Sequence, residues 1–242
     1  MHTLLARLRP AWLRHTPDCL LCGAPGSELP ICTGCEADLP WLTGQCSLCA
    51  LPLPSLGLPC GACLKRPPSF DRVVAPWRYD FPVDSLITRF KHQGRWPLGR
   101  LLGELLARHL AHGFDDDLPR PDALLPVPLA APRLRQRGFN QAGMLAGWLA
   151  RELDIPVEPD GLKRHRDGPP QQGLDAVTRR RNLRDAFSLD TRARVHGRHL
   201  ALVDDVLTTG TTAQVLARLL KGAGATRVDI YCLARTPRPG DG

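Results

Sequence analysis

Two acids and a run of hydroxyls stand together near the C-terminal end of the chain, as Asp204-Asp205 followed by Thr208-Thr209-Gly210-Thr211-Thr212. Leu200–Val203 before them is an apolar run of strand length. After them, Ala213, Leu216, Ala217 and Leu220 recur at helical spacing, so the stretch predicts strand, tight loop, helix. A loop that opens a helix offers unpaired N–H groups and the positive end of the helix dipole to a phosphate. Thr208, Thr209, Thr211 and Thr212 add hydroxyl donors, and Gly210 lets the backbone come close. Two carboxylates at the end of the strand repel a phosphate but suit a sugar diol or a metal. The combination points to a ligand with both parts, a phosphorylated ribose. The alternatives are a plain buried strand with an acidic loop, or the Asp-Asp strand of an NTPase. No Gly-x-x-x-x-Gly-Lys-Ser/Thr loop accompanies the latter.

A second chemistry belongs to the cysteines. Eight of nine form four Cys-x-x-Cys pairs, Cys19/Cys22, Cys32/Cys35, Cys46/Cys49 and Cys60/Cys63, separated by nine, ten and ten residues. Each pair can aim two thiolates at one tetrahedral Zn²⁺, so eight thiolates fit two closed, structural zinc sites. Sequential pairing joins Cys19, Cys22, Cys32 and Cys35, then Cys46, Cys49, Cys60 and Cys63; a cross-braced pairing joins first with third and second with fourth. Near-equal gaps leave both open. So short a segment, rich in Pro and Gly, needs metal to supply folding energy. Disulfides or an iron–sulfur cluster are the competing uses.

Arginines make the third group. Arg133, Arg135 and Arg137 precede Gly138 and a predicted helix, a second candidate anion site, with a solvated basic loop as the alternative. Arg179, Arg180, Arg181 and Arg184 lie in the long basic stretch Lys163–Leu189, which reads as a lid or as a disordered loop, with a brief helix near 177–187. Lys91 and Arg95 flank a glycine turn and read equally well as solvated surface. The formal charge of +8 favours an anionic partner, either nucleic acid or a polyanionic small molecule. At 5% the aromatic content suits phosphate contacts better than base stacking.

The elements that must position these groups follow from periodicity. Residues 1–18 read as a packing helix through Leu4, Leu5, Leu8 and Trp12, residues 19–66 as the cysteine module, and Lys65–Ser69 as a hinge. Residues 70–236 read as one α/β domain and 237–242 as a tail. Within the domain, strands are predicted at Phe70–Tyr79, Asp122–Val127, Ile155–Val157, Leu200–Val203 and Arg227–Leu233. Helices are predicted at Val83–His92 and Leu98–Leu110, another carries Met144, Leu145, Trp148 and Leu149, and the last covers Ala213–Leu220. Cys232, alone in the last strand, reads as core. No eighteen-residue apolar run occurs, so membrane insertion is not expected. Met1–Trp12, broken by Arg7 and Arg9, does not read as a secretory signal, which makes the cytoplasm the expected compartment.

Four apolar residues, two acids and Thr-Thr-Gly-Thr-Thr resemble the signature of type I phosphoribosyltransferases, which bind 5-phosphoribosyl 1-diphosphate (PRPP). Further motifs widen the likeness: Pro126-Val-Pro-Leu129, Arg137-Gly-Phe-Asn-Gln141, Pro170-Gln-Gln-Gly-Leu174 and Arg180-Arg-Asn-Leu-Arg-Asp-Ala-Phe187. With the cysteine module, they make residues 19–235 resemble the ComF family. The resemblance implies a type I phosphoribosyltransferase-like fold, Rossmann-like with a mostly parallel sheet and flanking helices, preceded by a double zinc ribbon. It also implies a link to uptake and use of DNA, with single-stranded DNA and the DNA-uptake machinery as partners. Carried onto this chain, Thr208–Thr212 would hold the 5-phosphate of PRPP, and Asp204 and Asp205 the ribose hydroxyls at the catalytic centre. The Val127-Pro128-Leu129 turn, helped by Arg137, would hold the pyrophosphate, with Mg²⁺ entering together with PRPP. Arg133, Arg135, Arg179, Arg180, Arg181 and Arg184 would track nucleic acid. The expected activity is pentosyl transfer from PRPP; the rivals on the same scaffold are a non-catalytic single-stranded DNA binder and a PRPP-sensing regulator.

Overall fold

The computed structural model describes residues 17–54, 57–165 and 186–237. The expected packing helix, the two Pro-Gln and Arg-rich motifs of 170–185 with Arg179, Arg180, Arg181 and Arg184, and the end of the tail lie outside them. The chain divides into two compact units, Met1–Leu39 and Pro40–Gly242.

In the first unit, a turn closed by the Asp18–Pro25 bridge carries the first knuckle. The short helix α1 (Thr33–Ala37) carries the second, its Cys32 sulfur accepting the Cys35 N–H at the N-cap. The second unit begins with the other two Cys-x-x-Cys pairs. Here Cys60 caps the short helix α2 (Gly61–Lys65).

Its sheet is parallel throughout: β1 (Arg72–Val74) and β2 (Trp77–Arg78) on one side of β7 (Arg227–Arg235), then β6 (His199–Leu207), then β3 (Ala123–Pro126). Parallel strands buried on both faces read as near-continuous apolar runs, which is what Leu200–Val203 and Ile230–Leu233 are. Alternate residues Leu200, Leu202, Val228, Ile230 and Cys232 join one apolar cluster with Leu216, Ala217 and Leu220 of the helix α7 (Thr211–Gly222). Cys46, Cys49, Cys60 and Cys63 belong to that same cluster. The helix α6 (Gln141–Leu153) packs on β3 and β6, and α4 (Trp96–Asp115) packs on α6, on α3 (Val83–Gln93) and on β7.

Several sequence readings are corrected. The Phe70–Tyr79 strand is two strands, broken at Ala75-Pro76. Ile155–Val157 contributes one bridge, Leu124 to Val157, and no strand. The predicted hinge before Phe70 is clamped: Ser69 N–H donates to Gln214 Oε1 at 2.9 Å, and Gln214 Nε2 donates to Ser69 Oγ at 2.8 Å. Residues 131–137, expected as loop, form the helix α5 (Ala131–Arg137). Gly138, at φ 81°, closes α5 instead of opening α6, whose cap is Asn140. The ends of the expected lid, β4 (Leu162–Arg164) and β5 (Phe187–Leu189), pair antiparallel.

Candidate functional site

Strands β3 and β6 run side by side, and both site loops leave their C-terminal ends. Val127 N–H still donates to Val203 O at 2.9 Å, so the Val127-Pro128-Leu129 turn begins opposite the acids of β6. Asn140 Nδ2 holds the turn by donating to Val127 O at 3.1 Å, while its Oδ1 caps α6 through Ala142 N–H. The carboxyl ends of strands in a parallel sheet are where ligands of such folds bind.

Strand β6 outruns β3 by four residues, Asp204–Leu207, of which Asp204, Val206 and Leu207 pair only with β7. The acids therefore sit inside a strand, not in the loop after it. Asp204 is half-buried, and burial, then the Asp205 charge, pushes its carboxyl up to about 8. Asp205 is 4% exposed; its Oδ1 accepts Val206 N–H at 2.7 Å, and Lys91 Nζ lies 2.7 Å from its Oδ2. That ion pair lacks hydrogen-bond geometry, leaving Oδ2 with a buried charge contact but no directed donor.

Beyond Leu207 the chain turns through exposed Thr208 and Thr209 to Gly210, which takes φ 74° and starts α7. A β-carbon on Gly210 would meet nothing within 4 Å, so the space over the loop is open. Thr209 and Thr211 share a 2.8 Å hydroxyl bond. The N–H groups of the first turn of α7 are thus presented beside two hydroxyls.

Arg235, at the end of β7, braces this loop from below. Its Nη1 donates to Leu207 O at 3.0 Å, to Thr208 O and to Thr236 O at 2.7 Å; its Nε donates to Cys49 O at 3.0 Å. A single buried guanidinium so joins the hydroxyl loop to the second pair of cysteine knuckles.

Beside Lys91 opens a cleft of about 620 Å³, bounded by the α3–α4 turn and α5. Lys91, His92, Arg133, Arg137 and Phe139 line it together with Gln93, Gly94 and Gln136. Arg137 also donates to Oε1 of buried Gln141, which ties it to α6.

The cysteines gather in sequential pairs. Cys19, Cys22, Cys32 and Cys35 form one cluster and Cys46, Cys49, Cys60 and Cys63 the other, each with its sulfurs within 4.8 Å of one another. All eight are free thiols. The Cys22–Cys32 and Cys49–Cys60 sulfurs are 3.7 and 3.8 Å apart. Four sulfurs at about 2.3 Å from a tetrahedral ion stand about 3.8 Å from each other, so both sets could hold a metal ion. Within each set the thiols differ. Burial raises Cys19, but N–H bonds from Cys32, Cys22 and Leu21 outweigh it and lower the thiol to about 6. In the same way burial at Cys46 is outweighed by the N–H groups of Cys49, Cys60 and Leu48, giving about 7. Bonds from Cys22 and Cys32 raise Cys35, and burial raises Cys63. In each set, then, backbone N–H groups lower one thiol, while Cys35 in the first set and Cys49 and Cys63 in the second are raised.

Comparison with known proteins decides what this architecture is. The family model described as the phosphoribosyl transferase domain matches residues 140–241. The DNA utilization protein YhgH of Escherichia coli O157:H7 is 37% identical over 221 residues, 90% of this chain and 96% of that protein. Competence protein F of Haemophilus influenzae is 38% identical over 207 residues, 85% of this chain and 90% of its own. The chain belongs to the ComF family. Among solved structures, the glutamine PRPP amidotransferase of B. subtilis aligns at 24% identity and a TM-score of 0.38, over 55% of this chain and 25% of that one.

In this ComF chain the fold is that of a type I phosphoribosyltransferase, with a parallel sheet flanked by helices and N-terminal cysteine clusters of zinc-ribbon kind. Asp204, Asp205, Thr208–Thr212 and Val127–Leu129 come together at one end of the sheet. Arg133 and Arg137 share the adjoining cleft with Lys91; Arg135, exposed between them, is not among its lining residues. Two contributors escaped the sequence reading. Lys91 looked like one base beside a glycine turn, and no local signal links it to Asp205, 114 residues on. Arg235 lay past the predicted end of the last strand at Leu233, although an arginine directly after the apolar run 230–234 is itself a sign of a buried anchor. Among the described residues no helix is long and apolar enough to cross a membrane.

Proposed function

We propose that this protein binds PRPP at the β6–α7 loop and acts as a phosphoribosyltransferase-like protein in the handling of single-stranded DNA in the cytoplasm. The observation that carries the reading is the open space over left-handed Gly210, flanked by hydroxyls and the first turn of α7, one step beyond two strand-borne acids. Thr208–Thr212 take the 5-phosphate, and Asp204 and Asp205 accept from the ribose hydroxyls. The diphosphate lies against the Val127–Leu129 turn with Arg137 as a donor.

In phosphoribosyl transfer the bond from C1 to the diphosphate oxygen breaks, and positive charge builds on the ribose ring. The leaving diphosphate is the main electrostatic load, so donors fixed before the reaction lower the barrier most. Bound with the diphosphate, Mg²⁺ supplies neutralisation of that charge. Asp205 is not arranged to hold the ion itself, because Val206 N–H engages one oxygen and Lys91 faces the other. Lys91 is placed to leave Asp205 for the diphosphate as the ribose hydroxyls arrive.

Both cysteine sets are read as structural zinc sites, since four sulfurs leave no position for a reacting water. The names of the relatives, DNA utilization protein and competence protein, support the DNA role, and Arg133 and Arg135 with the arginines of 179–184 supply sequence-independent phosphate contacts. Titration with PRPP and Mg²⁺, with and without single-stranded DNA, while following pyrophosphate release, tests the reading. Binding with release only when DNA is present supports transfer; binding without release supports a sensor; no PRPP binding rejects it.

A further inference from the structure

The cleft beside Lys91 has two unlike walls. One is basic: Lys91, Arg133 and Arg137 line it and no carboxylate is among its lining residues. The other is aromatic. Phe139 lines the cleft, and the indole of Trp96 meets it edge-on at 6.2 Å and 77°. Trp96 does not itself line the cleft, but its Nε1 lies 3.8 Å from where a β-carbon on lining Gly94 would stand, so the indole adjoins two lining residues, Gly94 and Phe139.

This aromatic wall is rigid from behind. Phe139 rests on fully buried Phe90 at 5.7 Å, and Phe90 on Trp148 at 5.8 Å. Trp96 nevertheless leaves 54% of its surface to solvent. A large flat side chain, exposed next to the lining residues of a cationic cleft, matches a ligand with a flat ring at one end and a phosphate at the other. The volume lies within the roughly 300–1,000 Å³ of small-ligand sites.

We infer that the cleft seats one nucleotide unit, its base stacked on Trp96 and its phosphate held by Arg133. Base stacking on an aromatic side chain is tolerant of sequence, which suits a site whose other contacts are to phosphate. Lys91 joins this seat to Asp205, so the unit lies next to the ribose of PRPP. In that purpose the inference rests on the PRPP reading; in its chemistry it does not. The unit is either a free nucleotide or one residue of a single strand.

The test uses the full-length, metal-loaded protein and its tryptophan emission. It is titrated with a short oligothymidylate, with an abasic strand of the same length, and with thymidine monophosphate. The expected result is quenching by the oligothymidylate and binding about five- to a hundredfold tighter than the abasic strand. Trp96→Leu should lose both the quenching and the preference, and Trp96→Tyr should keep most of the preference. Equal quenching by the mononucleotide assigns the seat to free nucleotides, and quenching by the strand alone assigns it to nucleic acid. Calorimetry with PRPP on the same variants should give wild-type affinity, which also shows that they fold. If PRPP binds none of them while the base preference persists, the loop reading falls and the cleft stands. A Trp96→Leu protein that keeps its preference, or a wild type indifferent to the loss of bases, overturns the inference.

Discussion

Replacing Arg235 with methionine should damage the phosphate loop and the second cysteine cluster together. The guanidinium touches four carbonyl oxygens, but they do not lose equally. Leu207 O keeps a second donor, Thr236 N–H at 3.1 Å. Thr208 is exposed, so water can replace the arginine there. The Nε bond to Cys49 O is buried, and losing it leaves an unsatisfied acceptor worth about 1–3 kcal/mol. With the lost charge-assisted bonds to the loop, the total should be about 3 kcal/mol of unfolding free energy, or about 6–12 °C in Tm. Methionine keeps length and apolar bulk, so cavity formation adds little. Urea unfolding of the metal-loaded protein reads the stability, calorimetry reads PRPP affinity, and a chromogenic chelator reads metal release. PRPP should bind at least tenfold more weakly, and metal should leave faster. A variant within 1 kcal/mol of wild type that binds PRPP and retains metal as well would refute the bracing role.

Gly210→Val should abolish binding of PRPP and of ribose 5-phosphate alike while metal content stays unchanged, as calorimetry and metal analysis will report. The left-handed φ of 74° is strained for a β-branched residue, and its side chain would occupy the open phosphate space. Protein purified without added metal should contain two zincs per chain by elemental analysis; iron, or disulfides without metal, would overturn the assignment. Asp204 supplies a pH signature. Its folded value of about 8 lies above the roughly 3.9 of an exposed aspartate, so its contribution to stability is complete below about pH 4 and is lost as pH rises through 8. The Tm of wild type should therefore fall from about pH 5 to 8 relative to Asp204→Asn and level off above that, and parallel curves would contradict the burial argument.

The β6–loop–α7 unit was legible because each of its signals is local. The same four residues that recur at helical spacing, Ala213, Leu216, Ala217 and Leu220, are the ones α7 buries. What periodicity could not show was that β7 extends β6 past the apolar run, which carries Asp204 and Asp205 into the strand. Cysteine spacing told that four sulfurs could meet, but not which four, since near-equal gaps fit either pairing. Nor could it tell that Cys46–Cys63 would be packed under the sheet, because ligand spacing says nothing of what a knuckle rests on. The Arg133–Arg137 helix had readable signals, Pro132 near its start and Gly138 after its end, but three arginines in five positions outweighed them. The aromatic stack of Trp96, Phe139, Phe90 and Trp148 depends on tertiary contacts among four separate segments, so low aromatic content argued against a stacking surface that the fold nonetheless assembles.

The central claim is that PRPP is held by Asp204, Asp205 and the loop that follows them. Isothermal titration of Asp204→Asn with Asp205→Asn tests it, run at pH 8.5 so that Asp204 carries its charge in the wild type. The substitutions keep size and hydrogen-bonding capacity but remove the charged acceptors facing the ribose hydroxyls. Charge-assisted bonds of this kind are worth about 1.5–3 kcal/mol each, so PRPP affinity should fall tenfold or more, ribose 5-phosphate should suffer similarly, and pyrophosphate should bind nearly as in wild type. A double variant that holds PRPP as tightly as the wild type would contradict the assignment of this loop.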